Sequence, residues 1–131
     1  MATLLVIDAN AGFREALAYC LPSFGHRVVA VEDVESARRA EAGDKVDLVL
    51  IDAGLGTGQG LASCLALRRD PKLGRLPILL LAWEVTPTLR EQARLVGANG
   101  IAPKLFEWPD LLGVIDRLLG GPPRPGSQTG S

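Results

Sequence analysis

The 131-residue sequence contains few of the residues that build disulfides, zinc sites or aromatic cofactor pockets. It has one histidine, His26, and two cysteines, Cys20 and Cys64, both on helix-like patterns. We therefore predict that both cysteines are small, buried hydrophobic residues in a reducing cytoplasm rather than a disulfide or a metal pair. Aromatic residues make up only 5% of the chain, which disfavours a flavin-binding pocket.

The sequence also lacks an excess of charge of either sign, and it lacks long apolar runs. Fourteen basic and fifteen acidic residues give a net charge of -1, which argues against nucleic-acid binding through a broad basic face. Apolar runs stay well below the roughly 20 residues of a membrane span. The first three residues lead straight into a strand without a basic region, so no signal peptide is expected. The prediction is a cytoplasmic protein without membrane contact.

What the sequence does contain is a fivefold alternation of short apolar runs and helical patterns. The predicted strands cover residues 3–7, 27–31, 48–51, 78–82 and 99–102, and the predicted helices follow them, near 10–21, 33–42, 61–68, 87–96 and 111–119. Such alternation predicts an α/β fold of three layers, with a parallel sheet in the order 2-1-3-4-5 and helices on both faces. Residues 1–119 form the predicted domain, and residues 120–131, rich in Gly, Pro, Ser and Thr, form a disordered tail or linker.

Two of these strands end on a carboxylate. The first run ends at Asp8, and the third ends at Asp52, which precedes a loop containing Gly54 and three further glycines. In the predicted strand order, both acids lie side by side at the carboxyl edge of the sheet. Neighbouring carboxylates repel each other unless a cation or a proton lies between them, so the pair favours a divalent ion, most plausibly Mg²⁺.

Five short segments resemble the receiver domain of bacterial two-component response regulators over residues 3–119. They are residues 5–8 (LVID), 47–52 (DLVLID), 59–61 (QGL), 77–81 (PILLL) and 97–100 (GANG), the last followed by Lys104. The resemblance implies the flavodoxin-like (βα)5 sandwich. It also implies a signalling domain, not an enzyme, in a phosphorelay.

The resemblance assigns a role to each site residue. It implies that a histidine kinase or a small phosphodonor phosphorylates Asp52. Asp8, Asp52 and the carbonyl of Gly54 are then the Mg²⁺ ligands, and Lys104 pairs with the phosphoryl group. Homodimerisation through helices 4 and 5 is common in this family, so it is an expectation here as well.

Several positions depart from the family pattern. Ala9 replaces the second acid after strand 1, so Mg²⁺ binding is expected to be weak or lost. Ala82 replaces the hydroxyl residue ending strand 4, and Ile101 replaces the switch aromatic three residues before the lysine. Leu105 replaces the proline after Lys104, and because a cis bond before leucine costs roughly 3 kcal/mol, that peptide is expected to be trans.

These departures leave alternatives open. A pseudo-receiver would keep the fold as a protein–protein docking module without phosphotransfer. A small flavodoxin-like flavin binder or hydrolase is a third hypothesis. Trp83, directly after strand 4, either fills the phosphoryl pocket or anchors a partner. The pairs Arg38–Arg39 and Arg68–Arg69 are interpreted as solvated helix faces.

Overall fold

The computed structural model describes residues 2–40, 45–54 and 59–120. Five strands alternate with five α-helices along the chain. In order they are β1 (Thr3–Ile7), α1 (Ala11–Cys20), β2 (Arg27–Val31), α2 (Val34–Ala40), β3 (Leu48–Asp52), α3 (Gln59–Arg68), β4 (Ile78–Ala82), α4 (Pro87–Leu95), β5 (Gly100–Pro103) and α5 (Trp108–Leu118). The predicted end of the second helix, most of the glycine-rich loop and the tail from residue 121 lie outside the described residues.

The sheet is entirely parallel, with strand order β2-β1-β3-β4-β5, as the sequence predicts. Its middle strands are buried on both faces, because helices cover each side. Alternate residues of β1 show this directly. Leu5 and Ile7 pack on the side of α2, α3 and α4, whereas Leu4 and Val6 pack on the side of α1 and α5. The three-layer prediction is therefore confirmed.

Side-chain caps fix the starts of several helices. Asn10 accepts a hydrogen bond from Phe13 N at the start of α1, and Asp33 accepts one from Ser36 N before α2. Thr86 caps α4 through Leu89 N, with Pro87 at the first helical position. Thr88, which Glu91 follows at the spacing of a capping box, lies inside α4 and is not its cap.

Several predicted boundaries shift, and the largest shift is at α5, which begins at Trp108 rather than near residue 111. Helix α3 already contains Gln59 and Gly60, so its predicted start at Leu61 was two residues late. A Cβ at position 60 would lie 2.2 Å from the backbone oxygen of Asp52, so the missing side chain lets the helix begin directly against the end of β3. Strand β5 begins at Gly100, one residue later than predicted. Asn99 still contacts Ile78, since its backbone N–H donates to the carbonyl of Ile78 at 2.8 Å and its side-chain oxygen accepts from Ile78 N.

The interpretation of Arg68 as a solvated side chain was wrong. Its guanidinium donates to the carbonyls of Gly74, Leu76 and Gly97 and to the side chain of Asn99. Gly74 and Leu76 lie in the loop before β4, and Gly97 and Asn99 lie in the loop before β5. One side chain therefore connects the end of α3 to two loops. Arg38 is also engaged, with Glu35 and Asp70, although it stays 40% exposed.

None of the helices within the described ranges is both long and apolar enough to cross a membrane.

Candidate functional site

The ends of three strands bring together the polar residues of the candidate site. Asp8 follows β1, whose last residue Ile7 pairs with Ile51 of β3. Asp52 is the last residue of β3. Lys104 follows β5, and its backbone N–H donates to the carbonyl of Ala82 at 2.7 Å. The sheet order therefore sets all three side chains at the carboxyl edge, where ligands bind in open α/β sheets.

Asp8, Asp52 and Lys104 form one ion-paired triad. Lys104 Nζ lies 2.7 Å from Asp8 Oδ2 and 3.0 Å from Asp52 Oδ1. The side chains of Lys104 and Asp8 are only 1% and 2% exposed, whereas that of Asp52 is 23% exposed. Buried charges are tolerated when they are paired, which accounts for the closeness of the contacts. Asp52 is thus the member of the triad that solvent and a reactant can reach.

Backbone N–H groups hold the two carboxylates in place. Asn10 N donates to Asp8 Oδ1 at 2.8 Å, and Gly54 N donates to Asp52 Oδ1 at 3.1 Å. Gly54 has a φ of +86°, a conformation that a residue with a side chain rarely adopts. The N–H of Gly54 thus fixes the Asp52 carboxylate at the start of this turn.

Two aromatic rings complete the surroundings of the lysine. The ring centroid of Phe13 lies 4.5 Å from Lys104 Nζ and that of Trp83 lies 5.2 Å from it. The two rings meet edge to face, with centroids 5.8 Å apart. The sequence pattern places Phe13 in the first predicted helix without indicating a role at the site. Its place on the first turn of α1, five residues after Asp8, was the signal that could have placed it at the site.

All three Phe and both Trp residues of the chain belong to one series of ring contacts. From Trp83 and Phe13 the series continues through Phe106 to Trp108 and Phe24. Trp108 packs at the start of α5, while Trp83 remains 41% exposed. The Phe and Trp side chains thus form one connected cluster, and its Phe13–Trp83 end contacts Lys104.

The positions that depart from the family pattern surround this triad. Ala82, at the end of β4, is buried, and Ile101 packs against the core beside α4. Ala9 is exposed next to Asp8. Leu105 is 77% exposed, and the peptide before it is trans, as expected, since the described residues include no cis bond.

The donor set fits a magnesium ion, with one carboxylate fewer than the resemblance implies. Asp8, Ala9 and Asp52 line a cleft of about 340 Å³, and Glu32 and Asp33 line the same cleft. A hydrogen bond from the backbone of Ser36 lowers the pKa of Asp33, so that carboxylate stays charged at neutral pH. Carboxylate and carbonyl oxygens are the ligands that Mg²⁺ prefers.

The net negative charge that would attract such an ion is small. The two carboxylates of Asp8 and Asp52 face one ammonium, which leaves a single negative charge at the triad. Within the described ranges, no three His, Cys, Asp or Glu side chains are grouped as a metal site.

A five-stranded parallel α/β domain with two acids and a lysine at one sheet edge has the architecture of a signalling receiver. The model of the response regulator receiver domain family matches residues 4–116. The chain belongs to this family. It is thus a signalling module of two-component systems, a class that interacts with histidine kinases and other signalling proteins.

Curated relatives and solved structures agree with this assignment. The phosphate regulon transcriptional regulatory protein PhoB of Pseudomonas aeruginosa is 27% identical over 117 residues, which cover 89% of this chain and 51% of PhoB. The chain thus spans about half the length of that relative. The chemotaxis protein CheY4 of Vibrio cholerae is 25% identical, with a TM-score of 0.80 and coverage of 90% and 98%.

One similar structure contains a metal ion. The receiver domain of sensor histidine kinase PA1611 from Pseudomonas aeruginosa was solved with a magnesium ion coordinated in its active-site cleft. It is 25% identical to this chain, with a TM-score of 0.77, and the match covers 92% of this chain and 98% of that domain. The family match favours the receiver interpretation over the flavin-binding one.

Proposed function

We propose that Asp52 is the phosphoryl acceptor of this receiver domain. The observation that supports this role is the triad itself, in which Asp52 is the exposed carboxylate and Lys104 lies 3.0 Å from it. Asp8 is too buried to serve as the acceptor, because its side chain is 2% exposed and both its oxygens accept hydrogen bonds.

The residues of the triad divide the work of phosphoryl transfer. An oxygen of the Asp52 carboxylate attacks the phosphorus atom and forms a new O–P bond. The bond between phosphorus and the donor breaks, and the leaving group, a histidine nitrogen or an acetate oxygen, keeps the electron pair. Lys104 supplies a positive charge beside the transferred oxygens, and Gly54 N holds the carboxylate in orientation.

Mg²⁺ would be held by the carboxylates of Asp8 and Asp52 and by the carbonyl of Gly54, and when bound it neutralises charge on the transferring oxygens. Because Ala9 supplies no carboxylate, we expect a weak site. The proposed donor is a histidine kinase.

Labelling with acetyl phosphate and Mg²⁺, followed by intact-mass spectrometry, tests the acceptor role. We expect a single phosphoryl adduct on the native protein and none on the Asp52→Asn variant. The Asp110→Asn variant is a matched control, since Asp110 is an exposed acid in the first turn of α5, away from the triad. If the native protein stays unlabelled while another receiver in the same tube is labelled, Asp52 is not an acceptor and a docking module remains the better hypothesis.

A further inference from the structure

Lys104 is enclosed on every side, although it lies in a loop at the edge of the sheet. Asp8 and Asp52 contact its ammonium at 2.7 and 3.0 Å, and the rings of Phe13 and Trp83 lie within 5.2 Å of the same nitrogen. Its side chain is 1% exposed. A lysine at such a position ordinarily keeps its charged end in water.

The carboxylates alone do not explain this enclosure. An ammonium has three N–H donors, and the two carboxylates accept from two of them. The remaining side of the nitrogen would be open to water, or to the oxygens of a phosphoryl group, without the aromatic rings. Phe13 is anchored in α1, whereas Trp83 stands in the loop after β4 and is 41% exposed.

We propose that Trp83 is a positioning residue that holds the Lys104 ammonium between Asp8 and Asp52 and covers it against the phosphoryl group. The attraction between the indole face and the ammonium is the force that holds it. The site is thereby kept in a closed form, in which the lysine offsets one of the two negative charges of the acidic pair. A phosphoryl group reaches the ammonium only after the indole moves away. This second part rests on the proposed function of Asp52, and the first part does not.

Lysine footprinting tests the positioning role without any phosphotransfer. The chain has three lysines, and Lys45 and Lys72 are exposed references in the same molecule. Acetylation by an N-hydroxysuccinimide ester in EDTA, followed by peptide mass spectrometry, measures the labelling rate of each lysine without a divalent cation. In the native protein, we expect Lys104 to be labelled far more slowly than the two references.

Substitutions at Trp83 distinguish the attraction between the aromatic face and the ammonium from simple steric cover by a large apolar side chain. Trp83→Leu keeps an apolar side chain without a ring face, and we expect roughly fivefold faster labelling of Lys104, the ratio that corresponds to about 1 kcal/mol of cation–π attraction. Trp83→Phe keeps a ring face and should retain most of the protection. Trp108→Leu is the matched control, because Trp108 belongs to the same aromatic series but contacts Phe106 and Phe24 instead of Lys104.

An unchanged Lys104 rate in Trp83→Leu overturns the positioning role, and so does an equal increase in Trp108→Leu, which would indicate general loosening. A second measurement, the rate at which acetyl phosphate labels Asp52, tests the covering role. We expect Trp83→Leu to be labelled faster than the native protein, and an equal or slower rate overturns that role. If Asp52 is labelled in no variant, the proposed function fails, while the footprinting result still decides the positioning role.

Discussion

At the scale of single residues, Arg68 carries more of the fold than its sequence context suggests. Its guanidinium donates to three backbone carbonyls and to Asn99, with the shortest of these distances 2.5 Å, to Gly97 O, and 2.6 Å, to Leu76 O. Hydrogen bonds from a charged donor contribute more to stability than neutral ones. The neighbouring Arg69 is exposed and provides a comparison at the same end of α3.

We expect Arg68→Ala to lower the free energy of unfolding by about 2–4 kcal/mol, because several backbone carbonyls lose a charged partner together. Arg69→Ala should change it by less than about 0.5 kcal/mol. Urea denaturation followed by circular dichroism measures both. Equal stabilities for the two variants would contradict the role assigned to Arg68.

Asp70 makes the stability of the fold depend on acidic pH. The backbone N–H of Leu73 lowers the pKa of this carboxyl below its usual value of 3.8, and Lys72 N and Arg38 assist. The unfolded chain therefore binds the proton more readily than the folded one. The stabilising contribution is present above about pH 4 and is lost as the pH falls through the lower folded pKa.

We accordingly expect the native protein to lose stability more steeply than Asp70→Asn as the pH falls below about 4. Thermal melts of both proteins across that pH range measure the difference. Parallel curves for the two proteins would show that the lowered pKa of Asp70 contributes nothing to folding.

At the scale of the helices, the start of α4 depends on one hydroxyl. Thr86 Oγ1 accepts from Leu89 N at 3.0 Å, and Thr88 is exposed two residues later. Either threonine could begin the helix on sequence grounds, since Thr88 is followed by Glu91 at capping-box spacing. The structure assigns the cap to Thr86, while Glu91 instead pairs with Arg94.

Removal of this cap should therefore destabilise the protein. We expect Thr86→Ala to cost about 1 kcal/mol of unfolding free energy, the typical loss for an N-cap hydroxyl. Thr88→Ala should have an effect below about 0.5 kcal/mol. Chemical denaturation distinguishes the two variants, and a larger loss in Thr88→Ala would favour the capping box.

The elements differ in how far the sequence predicts them. The strand Ile78–Ala82 was predicted with its observed bounds, because a short apolar run directly after Pro77 leaves little choice. The start of α3 was missed, since Gly60 resembles loop sequence until its close packing on Asp52 is known. The partners of Arg68 were missed for a similar reason. Most of them are backbone carbonyls, and every residue type has one, so the sequence does not indicate which carbonyls accept from Arg68.

At the scale of the whole molecule, the sequence predicted which charged residues form the candidate site. It did not predict which side chains pack around them. Strand order predicted that Asp8 and Asp52 lie together, and the family resemblance added Lys104, which the structure places between them. The contact of Phe13 and Trp83 with the lysine depends on side-chain directions that spacing does not determine. The roles of these residues in phosphotransfer stay predictions.

The substitutions around the site predict a weak response to phosphorylation. Ala82 and Ile101 carry no hydroxyl or aromatic group that could hydrogen-bond to a phosphoryl group or report it to α4. A ligand shifts a conformational equilibrium only through different contacts in the two states. Phosphorylation of Asp52 should therefore change the site without changing the α4–β5–α5 face or its tendency to dimerise.

Amide NMR signals, recorded with and without beryllofluoride and Mg²⁺, test this expectation. Shifts should be confined to residues near Asp8, Asp52 and Lys104, and the signals of α4 should stay in place. Ala82→Ser, which restores a hydroxyl at the end of β4, should extend the shifts toward α4. Large shifts along α4 in the native protein would show that the response does not need a hydroxyl at position 82.

Reductive trapping of the phosphorylated protein locates the acceptor most directly. Borohydride reduces an aspartyl phosphate to homoserine, so peptide mapping after acetyl phosphate treatment identifies the side chain that carried the phosphoryl group. We expect homoserine at position 52 and unmodified aspartate at positions 8 and 33. Homoserine at another position, or at none, would contradict the proposal that this receiver domain accepts a phosphoryl group on Asp52.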